Sequence, residues 1–549
     1  MNDKVKQNAT FVRSHIWLFF AGAILAYFMW QGVLELRAEE PRRAVVSMEM
    51  LDNGQLIAPT LNGTWYFGKP PLFNWIMAGL FKVTGSNSEF IVRLPSLLAF
   101  FALAYLLFLV VRRHFGNTEA ILSTVILLTF GDILLYGAVN SGEIDLFYAL
   151  LTSIQLYSIY YYTSVNENRF KLFFFSYLVC ALAFLTKGPP AILFQGLTLL
   201  AYSLYVKRFR QLISWQHLLG IFILLGTLSL YFWLYEARTG EALNYVRTLF
   251  WQAGEKAGRD RSFLTLFTGW ATYPLGLLKI TLPWSLFLIP AISKKFRGRW
   301  SADPLSTFCI LAIIVNLPIY WISGRFVARY IYMFLPLIAV LLTKMILLSG
   351  ERTNKVTGIA LYVLIPASII ATFYAPLLEH LQVTGNVLVH VLPAIGLLCV
   401  VGLIAFRDQR FTTRLLMLGM LLIGIRLLYN GTYLRYTDHK LQYRENAAQF
   451  HDMVKGQSIH ITGAPRTFAF EKQWVLPADT TMSSPSLPYQ ISYYLNRLQD
   501  DPVVFHTEMR PNYAYLGLNG TERSRNHFEL ESYYDNWQNQ AFSLYIFEE

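Results

Sequence analysis

Charge is scarce in this chain. Lys, Arg, Asp and Glu make up 15% of its 549 residues, against 54% hydrophobic, where a soluble domain carries nearer a quarter charged. Cysteine is scarcer still. Cys180, Cys309 and Cys399 all sit inside apolar blocks and none forms a CxxC pair, which leaves no disulfide framework and no cysteine metal site. The chain has no internal repeat and no low-complexity segment. The formal net charge of +12 is not gathered into a basic stripe on a soluble segment, so nothing carries nucleic-acid binding. The first apolar run, HIWLFFAGAILAYFMWQGVL at 15–34, is too long for a signal-peptide core and no small-x-small cleavage site follows it. It reads as a retained first span.

What the chain has is apolar length. A bilayer core takes roughly 20 apolar residues per helix. Candidate spans fall near 15–34, 93–111, 119–137, 144–162, 172–186, 190–206, 217–235, 278–292, 304–322, 329–349, 357–377, 386–406 and 413–429, about thirteen in all. The fifth, eighth and thirteenth fit the pattern least well. Lys279 interrupts the eighth and Arg426 the thirteenth. With the N-terminus cytoplasmic, alternation places RRHFGN, NENRFK, KRFRQ, SKKFRGRW, ERTNK and RDQRFTTR all on the cytoplasmic side, as the positive-inside rule requires.

Three larger pieces then lie outside: the loop 35–92, the stretch 236–277 and the tail from 430. The tail is polar, with strand-like runs SIHITG (458–463), PVVFHT (502–507) and FSLYIF (542–547) and a helical stretch LPYQISYYLNRL (487–498). The expected fold is therefore an α-helical polytopic membrane protein. Residues 1–429 form the membrane domain with its external loop, and 430–549 a small extracytoplasmic α/β domain.

With sides assigned, unusual charges collect on one face. Glu39 and Glu40 follow span one, and Lys69 stands in the same loop. Glu143 and Asp145 open span four, and Lys187 fills the short turn in LTKGPP. Arg325, Arg329 and Tyr330 open span ten. Charges at membrane depth are costly and face a cavity or a partner. Each also has a structural reading. Glu39 and Glu40 could pair locally with Arg42 and Arg43, and Asp145 with a basic neighbour. Lys69 could snorkel, and Lys187, Arg325, Arg329 and Tyr330 could anchor the interface. The chemical reading is a cavity with two kinds of group. Carboxylates can orient a hydroxyl and take its proton. Lys and Arg can neutralise a phosphate.

The stretch EEPRRAVVSMEMLDNGQLIAPTLNGTWYFGKPPLFNWIMAGLFKVTG, followed by RLPS, GEIDLF, LTKGPP, LPW and RYIYMFLP, resembles integral-membrane glycosyltransferases of the GT-C class. It is nearest to the lipid A aminoarabinose transferases and the protein mannosyltransferase superfamily. The resemblance covers about residues 15–340. It implies a polyprenyl-phosphate-sugar donor and transfer on the outer, periplasmic face of the bacterial inner membrane, of inverting type. It places the family's acidic residue on Glu39 with Glu40 beside it, and its second acidic position on Glu143 with Asp145 in reserve. It places the loop lysine on Lys69, the phosphate-side lysine on Lys187 and the tyrosine on Tyr330. Three positions depart from it, the first being Glu39 itself, where the family usually carries Asp, which moves the carboxylate by about one methylene. Gly68 stands where an acidic residue precedes the loop lysine, and Gly254, in FWQAGEKAG, where a His follows. Those last two positions can hold zinc in relatives, so no cofactor and no divalent metal is expected here.

The expected function is sugar transfer to a lipid, glycan or protein acceptor. Catalytic candidates are Glu39, Glu40, Glu143 and Asp145, and phosphate-binding candidates are Lys69, Lys187, Arg325, Arg329 and Tyr330. Two rivals differ in kind. A transporter of polyprenyl-linked sugars needs functional charges on both faces and favours repeat symmetry. A non-catalytic envelope assembly protein would tolerate loss of Glu39 and Lys69. The sugar and the acceptor are not legible in the residues.

Overall fold

A computed structural model describes residues 16–136, 138–256, 262–288, 303–374, 394–402, 404, 410–430, 441–454, 456–462, 489–506, 509–510, 513–518, 527–535 and 540–547. The basic loop 293–300 and much of the twelfth candidate span lie outside the described residues.

Apolar helices form the membrane bundle. They are α1 (Ile16–Phe28), then, after the first long loop, α4 (Glu89–His114), α5 (Asn117–Leu128), α6 (Asp145–Ser164), α7 (Arg169–Lys187), α8 (Pro190–Tyr205) and α9 (Trp215–Thr239). That loop supplies α2 (Glu40–Asp52) and α3 (Leu72–Thr84). After α9 come α10 (Ala242–Lys256) and α11 (Phe263–Ile280), then α12 (Pro304–Asn316), α13 (Leu335–Ser349), α14 (Glu351–Tyr374) and α15 (Phe411–Tyr429). Six helical stretches among the described residues are long and apolar enough to cross a membrane, and further apolar helices are shorter.

Polar side chains tie the bundle internally, because lipid offers them no partner. Gln155 donates to Gln195 at 2.8 Å and Gln195 to Ser176 at 2.8 Å, joining α6, α8 and α7. Asn316 on α12 donates to Thr198 on α8 at 2.8 Å. Arg426, fully buried on α15, lies 4.5 Å from the Tyr27 ring centroid and donates to the carbonyls of Ile133 and Leu134 and to Asn140. It thereby holds the irregular segment that follows α5. The LPW motif docks on the same break: Leu282 O accepts from the Gly131 amide at 2.7 Å, and Trp284 donates to Thr129 at 2.9 Å.

The stretch 236–277, expected as an external loop, is largely helical as α10 and α11. α10 mixes Arg247, Glu255 and Lys256 with apolar residues, and α11 is broken up by threonines and Pro274. Neither reads as a span by hydropathy.

The tail carries α16 (Tyr443–Met453), α17 (Tyr489–Leu495) and a five-stranded sheet. Its strands are β3 (Ser458–Thr462), β4 (Phe505–His506), β5 (Tyr513–Leu518), β6 (His527–Asp535) and β7 (Gln540–Phe547), in the order β4-β3-β5-β7-β6. β3 runs parallel to β4 and β5, and the β5–β7 and β7–β6 pairs are antiparallel. The tail shares a core with the first loop: Val45, Met48, Phe73, Met77 and Phe81 pack in one cluster with Tyr443, Phe450, Ile461, Ile491 and Leu516.

Candidate active site

Site residues arrive from helix ends that meet on one face. α2 begins with Glu40 and Pro41 in its first turn, a favourable pairing of acid and proline at a helix N-terminus. Its N-cap residue is Glu39. Glu39 Oε2 lies 3.0 Å from Arg42 Nη1 and 3.9 Å from Arg43 Nη2. Burial alone would raise the Glu39 carboxyl. Arg42, Arg43, Arg329 and Lys69 outweigh it and hold the group down to about 2. It is ionised at any physiological pH.

Lys69 is presented by the turn after the small hairpin of β1 (Thr60–Leu61) and β2 (Thr64–Trp65). Asn62 and Gly63 both have positive φ, at 53° and 75°, the Asn-Gly signature of a two-residue hairpin turn. The buried Glu49 accepts from the Gly63 amide at 3.2 Å, and also from the Asn62 amide and the Thr60 hydroxyl. α10 then grips the lysine. Tyr245 donates to its carbonyl at 2.8 Å, and its ammonium donates to Gln252 Oε1 at 3.1 Å. A side chain at position 68 would collide with the Tyr66 phenol.

Glu143 and Arg329 form an ion pair at 2.9 Å. The strand of chain leading to Glu143 presses on α4, where a Cβ at Gly142 would meet Val92 O at 2.7 Å. Only glycine permits that approach, and Ser96 fixes the Glu143 carbonyl at 2.7 Å. Burial pushes the Glu143 carboxyl above the ordinary range despite Arg329. Asp145, first residue of α6, pairs with Lys187, last residue of α7, at 2.6 Å with both side chains under 10% exposed. Gly188 at φ 91° and Pro190 at the start of α8 turn the chain sharply there. The Lys187 ammonium sits 5.0 Å from the Tyr148 ring and 4.9 Å from the Tyr330 ring.

Two expected residues stand apart. Glu40 is fully buried and bonded to Arg93 at 2.7 Å. Arg93 also donates to the carbonyls of Gln31, Leu34 and Glu35. Glu40 is thus a scaffold residue that ties span one to α4, because the first turn of α2 points it away from Glu39. Arg325 makes no side-chain ion pair among the described residues, and its backbone is held by Ser323. The sequence reading gave Arg42 and Arg43 only a local structural role and did not single out Tyr66, Tyr245 or Gln252. Their signal is proximity to Glu39 and Lys69, which appears only after folding.

The assembled site holds Arg42, Arg43, Lys69, Lys187 and Arg329 against Glu39, Glu143 and Asp145, five cations to three carboxylates. It suits a doubly charged anion beside an orienting carboxylate.

Residues 68–233 match the family model described as dolichyl-phosphate-mannose-protein mannosyltransferase. The chain is 26% identical over 384 residues to an undecaprenyl phosphate-alpha-4-amino-4-deoxy-L-arabinose arabinosyl transferase of Shewanella sediminis, covering 68% of this chain and 67% of the relative. A protein of the same name from Pseudomonas aeruginosa strain UCBPP-PA14 is 29% identical, and the match spans about half of each chain, 53% and 52%. The crystal structure of ArnT from Cupriavidus metallidurans in the apo state superposes with a TM-score of 0.67 at 16% identity, covering 97% of this chain and 98% of the other. The same protein bound to undecaprenyl phosphate gives 0.67 at 17%, covering 96% and 97%. The chain carries the GT-C fold and resembles the lipid A aminoarabinose transferases of that class.

Proposed function

We propose that this chain is a glycosyltransferase that moves a sugar from a polyprenyl-phosphate-linked donor to a lipid, glycan or protein acceptor on the periplasmic face of the bacterial inner membrane. The observation that carries the reading is the placing of Glu39 within the field of Lys69 and Arg329 on one face of the bundle. The undecaprenyl-phosphate transferases among its relatives support a polyprenyl-phosphate donor.

The chemistry is a single displacement with inversion. The acceptor oxygen bonds to the anomeric carbon as the bond from that carbon to the phosphate oxygen breaks. The electron pair leaves on the polyprenyl phosphate, whose charge grows from about −1 to about −2. Lys69, Lys187 and Arg329 stabilise that growing charge, and preorganised groups of this kind supply the largest share of many rate enhancements. The Lys69 ammonium exchanges the neutral Gln252 carbonyl for a phosphate oxygen. Glu39, held near 2, is a poor base on its own. Phosphate drawn onto Lys69 and Arg329 weakens their hold and lifts its basicity. It then orients an acceptor hydroxyl and takes its proton. An acceptor that is itself a phosphate needs no base, and Glu39 then positions.

The reaction is read as metal-independent. Gly68 and Gly254 offer no ligating side chain, and the Tyr66 phenol fills the space next to Gly68. The test is sugar transfer from a radiolabelled polyprenyl-phosphate donor by the purified protein in proteoliposomes, with and without chelator. Turnover that persists in chelator is expected. No turnover with any acceptor class overturns the function, and turnover lost in chelator but restored by zinc overturns the metal-independent route.

A further inference from the structure

Tyr489 carries the tail to the active site. Tyr489 opens α17 and is 6% exposed. Arg42 Nη2 donates to its hydroxyl at 3.0 Å, and the guanidinium lies over its ring, 4.7 Å from the centroid. The other end of the same guanidinium, Nη1, is 3.0 Å from Glu39 Oε2. Arg42 is therefore gripped by the tail on one side and grips the carboxylate on the other. A free arginine explores many rotamers. An aromatic ring beneath the guanidinium together with a hydrogen bond to that ring's hydroxyl restrains its position.

α17 is itself held against the first loop. Tyr494 accepts the Leu36 amide at 2.8 Å, Tyr493 donates to Asn87 O at 2.7 Å, and Asn62 donates to Ser492 at 2.9 Å. In the first turn of α16, the Tyr443 and Arg444 amides donate to Glu35 at 2.9 and 3.0 Å. The lever from tail to Glu39 thus rests on a fixed base.

We propose that Tyr489 is a positioning residue of the transfer reaction: it fixes Arg42 and, through Arg42, the carboxylate of Glu39, so that the tail completes the active site. This rests on the reading of Glu39 given above. It assigns a catalytic role to a segment that lies about 450 residues from the carboxylate in sequence.

Tyr489→Phe removes the hydrogen bond and keeps the ring. Donor transfer is measured in proteoliposomes for Tyr489→Phe, Arg42→Gln, the double variant and Glu39→Gln, at equal protein and varied donor. Arg497→Gln, which loosens a rim pair with Glu89 at 3.2 Å, serves as a docking control. Tyr489→Phe is expected to lower kcat roughly 10-fold with donor KM within about twofold, and to cause no further loss in the Arg42→Gln background. Arg497→Gln is expected to keep kcat. Wild-type kcat in Tyr489→Phe, independent losses in the double variant, or an equal loss in Arg497→Gln overturns the proposal. Wild-type turnover by Glu39→Gln overturns the underlying reading of the site instead. An inactive Glu39→Gln with independent Tyr489 and Arg42 effects leaves that reading intact and removes only this one.

Discussion

Glu39 and Glu40 are neighbours in sequence and opposite in circumstance. One faces the cluster of cations at 30% side-chain exposure, and the other is buried with Arg93. The reason is local: α2 starts between them, so the first turn sends the two side chains to different sides. Arg93 is the keystone, since its donors satisfy Glu40 and three backbone carbonyls at the end of span one. Removing one member of a buried ion pair leaves an uncompensated charge, which costs about 3–5 kcal/mol. Arg93→Met should therefore lower the thermal midpoint in detergent sharply, with far smaller effects from Arg325→Met. A wild-type midpoint for Arg93→Met would remove the scaffold role from this pair.

At the scale of elements, the tail sheet has a pH-sensitive seam. His460 on β3 and His506 on β4 lie with ring centroids 4.7 Å apart and planes tilted by 36°, and His460 Nδ1 accepts from the Val504 amide at 3.3 Å. Burial, then His506 and Arg510, bring His460 down to about 4, with Asp501 opposing. A depressed folded-state value means the stability is present above the unfolded value near 6.5. It is lost as pH falls toward 4 and amounts to roughly 2–3 kcal/mol. Thermal scans of the whole protein should show the midpoint falling over that window, and His460→Gln should flatten the fall. An equally steep fall in His460→Gln would place the titration elsewhere. Six spans among the described residues were readable because each is a long apolar run, whereas the eighth candidate, 278–292, takes in the end of α11 and an irregular turn, and the Asn62-Gly63 turn signal went unused in the sequence reading. α10 and α11 were not readable as helices, since their charges, threonines and proline dilute the hydropathy on which that reading relied. The docking of α17 left no mark on the sequence either. Contacts such as Leu36 with Tyr494 join segments 458 residues apart, and no local periodicity encodes them.

For the whole molecule, the membrane bundle, the first loop and the tail each supply part of one site. The bundle brings Glu143, Asp145, Lys187 and Arg329, the loop brings Glu39 and Lys69, and the tail braces Arg42. The separate motifs were legible as charges on one predicted face, and which charge pairs with which was not, because that depends on helix packing. The central claim is that Glu39 and Lys69 act on the donor and do not merely hold the fold. The most direct measurement is transfer from a radiolabelled polyprenyl-phosphate-sugar by Glu39→Gln and by Lys69→Ala, normalised to protein in the membrane. Both variants should reach wild-type membrane levels and lose roughly 10²-fold or more in turnover. Turnover near wild type in both would contradict the account and make these charges structural.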